Sequence, residues 1–237
     1  MVAMNRCELR IIQGTEHPYP PADINIVIDV IRAFTVSHIA FLSGAHEIFL
    51  VNTVEEAFAL KVDNPSWLLA GEIAGLPIIN FDLDNSPFTF SHADISNKTL
   101  VQKTTNGVKA TLLALDAATT LVTGFTNAKK SALYIKKLVS SRESCVINII
   151  ASHAGDDDDL ACAEYIQDIL LGSNKIQIEA IQSRIKGARS AQKFFDPARI
   201  EFDARDIDIC TREIACDFVM LVDKSLTVPK IVKKQAF

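Results

Sequence analysis

The sequence predicts an α/β protein, a three-layer α/β/α arrangement around a largely parallel or mixed sheet. Short apolar runs recur along the chain, most are followed by a segment of helical period, and the hydrophobic fraction reaches 49%. Strands covered by helices on both faces lose the polar alternation of a one-sided sheet, so continuous apolar runs separated by helices are the pattern such a fold requires.

The strand candidates are residues 24–31, 47–51, 67–70, 99–103, 120–123 and 145–151. Thr53, followed by Glu55 and Glu56, reads as an N-cap with acids in the first turn of the helix EEAFALKV, and Asn127 stands where it would cap AKKSALYIKKLV. Residues 71–94, with Pro77, Pro87, Asn80 and Asn85, fit neither period and read as a long ordered functional loop containing a short strand. Beyond Gly172 the pattern is helical and charged through SRIKGARSAQKFF, then closes with DIDICTREI, FVMLV and TVPKIV. One domain is expected for the 237 residues, with a smaller carboxyl-terminal subdomain starting at about residue 172.

Composition narrows the functional classes. Net charge is −5, and Lys and Arg do not cluster outside Lys230, Lys233 and Lys234, which argues against nucleic acid as a partner. A small anionic substrate is compatible with that charge, because local Arg residues or a bound metal can reverse the sign of a cleft. No apolar run approaches the roughly 20 residues of a membrane helix, and the amino terminus lacks a secretory pattern, so a cytoplasmic protein without membrane contact is expected. The large apolar fraction makes a symmetric homodimer the expected assembly. Five cysteines, Cys7, Cys145, Cys162, Cys210 and Cys216, are scattered and odd in number, which argues against a disulfide framework or a zinc site and for buried small hydrophobes. His17, His38, His46, His92 and His153 show no metal-ligand spacing, and neither G-x-S-x-G, GxGxxG nor a P-loop occurs.

Four segments could carry chemistry. In IVIDVIRAFT an apolar strand ends in Asp29 with Arg32 at the following turn, the position where α/β proteins bind ligands. Asp suits Mg²⁺ and Arg grips an oxyanion with two parallel hydrogen bonds, although an internal Asp29–Arg32 ion pair fits equally well. In TLVQKTTNGVKATLLAL a strand runs into Thr104, Thr105, Asn106 and Gly107, whose hydroxyls, amide and free N–H groups could hold an anion or simply cap a helix. GEIAGLPIINFDLDNSP gathers Glu72, Asp82, Asp84, Asn85 and Ser86 in one loop, suggesting metal or substrate contact. SHAGDDDDLACAEY leads four aspartates into a helix, and Asp158 and Asp159, nearest the helix, are the pair expected to face a cleft.

In this order the segments resemble the 2-phosphosulfolactate phosphatase family, Mg²⁺-dependent acid phosphatases named for a step in coenzyme M biosynthesis. IDVIRAFT, Ser43-Gly44-Ala45, TVEEAFAL, Gly71-Glu72 with FDL.NSP, TTNG, GFTNA, the Asp-Asp turn and Val228-Pro229 carry the resemblance, from about Ile24 to Val232. It implies hydrolysis of the phosphate ester of a small sulfonated or carboxylated hydroxy acid, with Mg²⁺ as cofactor. Asp29, Arg32 and Glu72 would be catalytic. Asp29, Glu72 and Asp158 or Asp159 would hold the metal. Arg32 and the Thr104–Gly107 turn would cradle the phosphoryl group, and Asn85 and Ser86 would orient the rest. Departures at Ile73, where the family tends to be basic, and at Asp84, where it has Gly, point to the alternative of a non-catalytic or altered-substrate relative. The acidic turn reads Asp158-Asp159 where the family favours Glu-Asp.

Overall fold

The apolar runs form strands in the computed structural model, which describes residues 7–15 and 19–236. His17 lies outside the described residues. Strands β1 (Cys7–Gln13), β2 (Ile24–Ile28), β3 (Glu47–Leu50), β4 (Leu68–Ile73) and β5 (Leu76–Pro77) are followed by β6 (Thr99–Lys103), β7 (Thr119–Thr123), β8 (Cys145–Ala151), β9 (Phe218–Asp223) and β10 (Lys230–Gln235). Helices α1 (Ala33–Leu42), α2 (Val54–Asp63), α3 (Pro87–His92), α4 (Gly107–Leu113) and α5 (Ala128–Leu138) precede α6 (Asp157–Leu171), α7 (Ile178–Gly187), α8 (Arg189–Gln192) and α9 (Ala204–Cys210).

The sheet is mixed, with order β1-β8-β2-β7-β9-β10-β3-β6-β4-β5. It contains two parallel blocks, β1-β8-β2-β7 and β3-β6-β4, joined by the antiparallel hairpin β9–β10. Three antiparallel pairings separate β7 from β3, so the blocks run in opposite senses. Helix α1 connects them: Ser37 Oγ donates to Gln102 Oε1 of β6 at 2.9 Å, and His38 Nδ1 meets Thr126 Oγ1 beyond β7 at 2.9 Å. Residues 33–41 of α1 are all buried, as expected of a helix without a polar face. At Gly124 a Cβ would stand 2.6 Å from Thr35 Oγ1, so glycine lets α1 approach the turn after β7.

Local signals read from the sequence hold in part. Thr53 and Glu56 form a reciprocal capping box on α2. Asn127 occupies the N-cap position of α5, but its Oδ1 accepts from Thr123 Oγ1 and Gly124 N instead of a helix N–H. Strand β2 stops at Ile28, three residues short of expectation, because Asp29 turns the chain: its carbonyl accepts from Phe34 N and its carboxylate from Ala33 N. Residues 71–94 hold the expected short strand, β5, but also the end of β4 and helix α3, capped by Ser86.

The cysteine expectation holds only in part. Cys7 and Cys145 are register partners in neighbouring strands and form a disulfide across a sequence separation of 138. Only β1–β8 pairing brings them together, which no local spacing reveals. Cys162 and Cys210 are buried and free, as expected, and Cys216 is half-buried. Among the described residues no helix is long and apolar enough to cross a membrane.

Candidate active site

Loops from both parallel blocks converge on a cavity of about 310 Å³. The turn after β2 supplies Asp29, Ile31 and Arg32; β4–β5 supplies Glu72, Ala74 and Gly75; the turn after β6 supplies Thr105 and Asn106. Asn85 reaches in from the segment before α3, His153 and Asp156 from the turn after β8, and Arg189, Ser190, Lys193 and Phe194 from α8 and its continuation. Of the residues expected from sequence, Asp29, Arg32, Glu72, Asn85, Thr105 and Asn106 line the cavity, whereas Ser86, Thr104, Gly107, Asp158 and Asp159 stand behind that lining.

Asp29 is 6% exposed, and burial pushes its carboxyl up to about 6 against the N–H donors of Ala33 and Gly107. Gly107 is required there, since a Cβ would lie 2.6 Å from Asp29 Oδ2. Asp158 and Asp159 lie beneath it, each 1% exposed. Burial pushes both upward, reinforced by neighbouring carboxylates: Asp158 is raised to about 7 and Asp159 well above the carboxylate range. The two differ in bonding. Asp159 accepts from Val30 N at 2.7 Å, Ser152 Oγ at 3.0 Å and His153 N at 3.1 Å, while Asp158 Oδ1 is buried without a partner. Ligand atoms of His153, Asp156 and Asp158 lie within 4.8 Å of one another. Asp156 caps α6 and accepts from the N–H groups of Asp157, Arg189 and Ser190. Burial opposes its ionisation, yet these donors hold its carboxyl below the ordinary range.

Arg32 is not paired with Asp29. Its Nη1 donates to Asp206 Oδ2 at 2.7 Å, its Nη2 to Gly75 O at 3.1 Å, and its guanidinium stacks 4.8 Å from the centre of the Phe194 ring. Asp206, fully buried, also accepts from Ser86 Oγ at 2.6 Å and Phe88 N at 3.1 Å. Ser86 is therefore an anchor for α3 and Asp206, set back from the cavity.

The turn after β6 also departs from expectation. Thr105 N donates to Glu72 Oε1 and Thr105 Oγ1 to Glu72 Oε2, Gly107 N is drawn to Asp29, and Val108 N donates to Thr104 Oγ1. The N–H groups of Thr105 and Gly107 and the Thr105 hydroxyl are committed to the protein's own oxygens, while Asn106 lines the cavity. Glu72 Oε2 additionally accepts from Gly75 N, so its carboxylate ties the β4–β5 hairpin to the turn after β6.

Sequence reasoning missed His153, Asp156, Arg189, Ser190 and Lys193. The first two had a signal: the short SHAGD turn follows β8 directly and carries an imidazole three residues before a carboxylate. The α8 residues had none, because charge on a short helix does not say which way it faces. The departures at Ile73 and Asp84 fall away from the cavity lining: Ile73 is 49% exposed, and Asp84 accepts from Ser86 N in its own turn.

A family model described as 2-phosphosulpholactate phosphatase matches residues 11–225. A Bacillus subtilis protein named probable 2-phosphosulfolactate phosphatase is 53% identical over 223 residues, spanning 94% of this chain and 97% of its own. Proteins of the same name from Clostridium botulinum and Caldicellulosiruptor saccharolyticus are 30% and 38% identical, the first over 84% of this chain and 88% of its own, the second over 62% of each. A match of this extent, over a chain whose cavity is assembled from the segments that carried the resemblance, means that the chain belongs to the 2-phosphosulfolactate phosphatase family.

Proposed function

We propose that this chain hydrolyses the phosphate monoester of a small sulfonated or carboxylated hydroxy acid, with 2-phosphosulfolactate as substrate and Mg²⁺ as cofactor, in the cytoplasm. Family membership supports the reaction. The observation that supports the metal is Asp158 Oδ1, a buried carboxylate oxygen without a donor, beside Asp156 and His153. Buried polar atoms are nearly always partnered, and a hard divalent cation is the partner this chemistry suits. Two carboxylates and an imidazole fit Mg²⁺ that keeps several waters, and they fit Mn²⁺ too.

In this reading Asp156, Asp158 and His153 hold the ion with Asp29 nearby, and the expected set of Asp29, Glu72, Asp158 and Asp159 is revised accordingly. Glu72 and Asp159 already accept hydrogen bonds at both oxygens, which suits them to holding loops. When bound, the ion would offset charge on the phosphoryl oxygens and acidify a water. Asp29, which lines the cavity with His153 and Asp156, accepts the proton of the attacking water. Arg32, fixed by Asp206 and Gly75, presents an oriented guanidinium at the wall, its charge balanced by Asp206. Asn85, whose buried Oδ1 has no donor, orients the organic part of the substrate.

The test is phosphate release from 2-phosphosulfolactate with Mg²⁺, with Mn²⁺ and in EDTA. Release that stops in EDTA and returns with metal is expected; full activity in chelator removes the metal, and no release under any condition removes the hydrolase. Rapid quench should trap no phosphoryl-enzyme, and one trapped on Asp29 would make that residue the nucleophile.

A further inference from the structure

We infer that the cavity wall formed by α8 and the residues after it is a subsite for the substrate's second anion, with Lys193 recognising a sulfonate or carboxylate; this rests on the hydrolase reading above. The argument begins with the cations of the cavity. Arg32 is neutralised by Asp206 at 2.7 Å. Lys193 forms no ion pair among the described residues; its ammonium lies 4.6 Å from the centre of the Phe202 ring and 5.7 Å from that of Phe194. Half-buried on two aromatic faces, it has already lost part of its water, so accepting an anion removes less hydration than it would from a free surface lysine. Arg189 beside it makes only a 3.5 Å contact to Gly155 O through its side chain.

The backbone beside the ammonium is glycine: Gly75 has φ +87°, and a Cβ there would stand 2.6 Å from Lys193 Nζ. A larger residue would be strained at that φ and would push the ammonium aside. At the start of α8, where Arg189 N and Ser190 N donate to Asp156, the cavity meets Asp29, Asp156 and the buried Asp158, a cluster that repels an acid group lacking a metal partner. A substrate with a phosphoryl group at one end and a sulfonate or carboxylate at the other is therefore oriented by charge, phosphoryl toward the metal-binding side and the second acid toward Lys193.

The test uses the full chain with Mg²⁺ and compares wild type, Lys193→Met and Lys193→Arg on 2-phosphosulfolactate and on phenyl phosphate, whose organic part is uncharged. Lys193→Met should lower the preference for the sulfonated ester, as a ratio of kcat/KM, by about tenfold or more, chiefly through KM, as expected for a lost charge-assisted bond. Inhibition by sulfolactate should weaken in parallel and inhibition by inorganic phosphate by less than about threefold, with partial rescue by arginine, which keeps the charge. Equal losses on both esters together with weakened phosphate inhibition would overturn the inference and give Lys193 to the phosphoryl group; an unchanged ratio would also overturn it. If wild type hydrolyses neither ester, the hydrolase reading fails by itself. Calorimetric binding of sulfolactate to wild type, lost in Lys193→Met with its far-UV CD intact, then supports the subsite, and equal or absent binding in both overturns it.

Discussion

Glu72 and Asp158 are buried carboxylates around one cavity, and their surroundings could hardly differ more. Glu72 accepts from the N–H groups of Thr105 and Gly75 and from the Thr105 hydroxyl, and so fastens the β4–β5 hairpin to the turn after β6. Asp158 stands among other acids, its carboxyl pushed up by burial and by Asp156 and Asp29, with Oδ1 left without a donor. Saturated carboxylates hold architecture; crowded, under-bonded ones mark where a cation and chemistry belong. The same contrast separates Arg32, bonded on both sides, from Lys193, which rests on aromatic faces and forms no ion pair among the described residues.

Four measurements would break or sharpen this contrast. The largest effect is expected from Arg32→Ala, which strands the buried Asp206 charge and should lower stability by about 3–5 kcal/mol in denaturant titrations. A fully stable variant would show that Arg32 belongs with the under-bonded groups. Asp158→Asn should reduce kcat/KM by about 100-fold or more with Mg²⁺ while the chelated protein melts no lower than wild type, because the change removes a charge that burial disfavours. Retained activity would empty the proposed metal site.

Glu72→Gln should behave in the opposite way. It turns a donor toward donors and should lower stability by about 1–3 kcal/mol, with activity falling less than in Asp158→Asn. Loss of activity at full stability would restore Glu72 to the metal or the reaction. The smallest expected effect is in pH dependence. Asp29 at about 6 and Asp158 at about 7 are raised above the roughly 3.9 of an unfolded aspartate. Protons are therefore bound more tightly in the folded state, and this part of the stability is present below about pH 4 and lost as pH rises through about 6 to 7. Melting in EDTA should fall across that window, and Mg²⁺ should raise Tm more at pH 8 than at pH 5. An equal Mg²⁺ shift at both would separate the metal from these carboxylates.

Much of the scaffold was legible in the chain itself. The runs at 99–103 and 145–151 form β6 and β8 with the expected bounds, and Thr53 caps α2 with Glu55 and Glu56 in its first turn, as expected. Asp29, Glu72, Asn85 and Asn106 were legible as cavity residues because each follows or ends a strand, or lies in a loop too long and polar to be filler. Asp158 could be singled out from its acidic run, though not its missing partner.

What the chain determined by itself was local: where apolar periodicity makes strands and helices, and which polar residues interrupt them at strand ends. Tertiary structure decided the rest, because it depends on which distant segments meet. The Arg32 partner is 174 residues away, the Cys7 partner 138, and the His153–Asp156–Asp158 grouping acquires its unpartnered oxygen only when β2 and α8 close around the turn after β8. Burial and hydrogen bonding separate an acid that holds a loop from an acid left with an oxygen that has no donor, and both are properties of the packed chain.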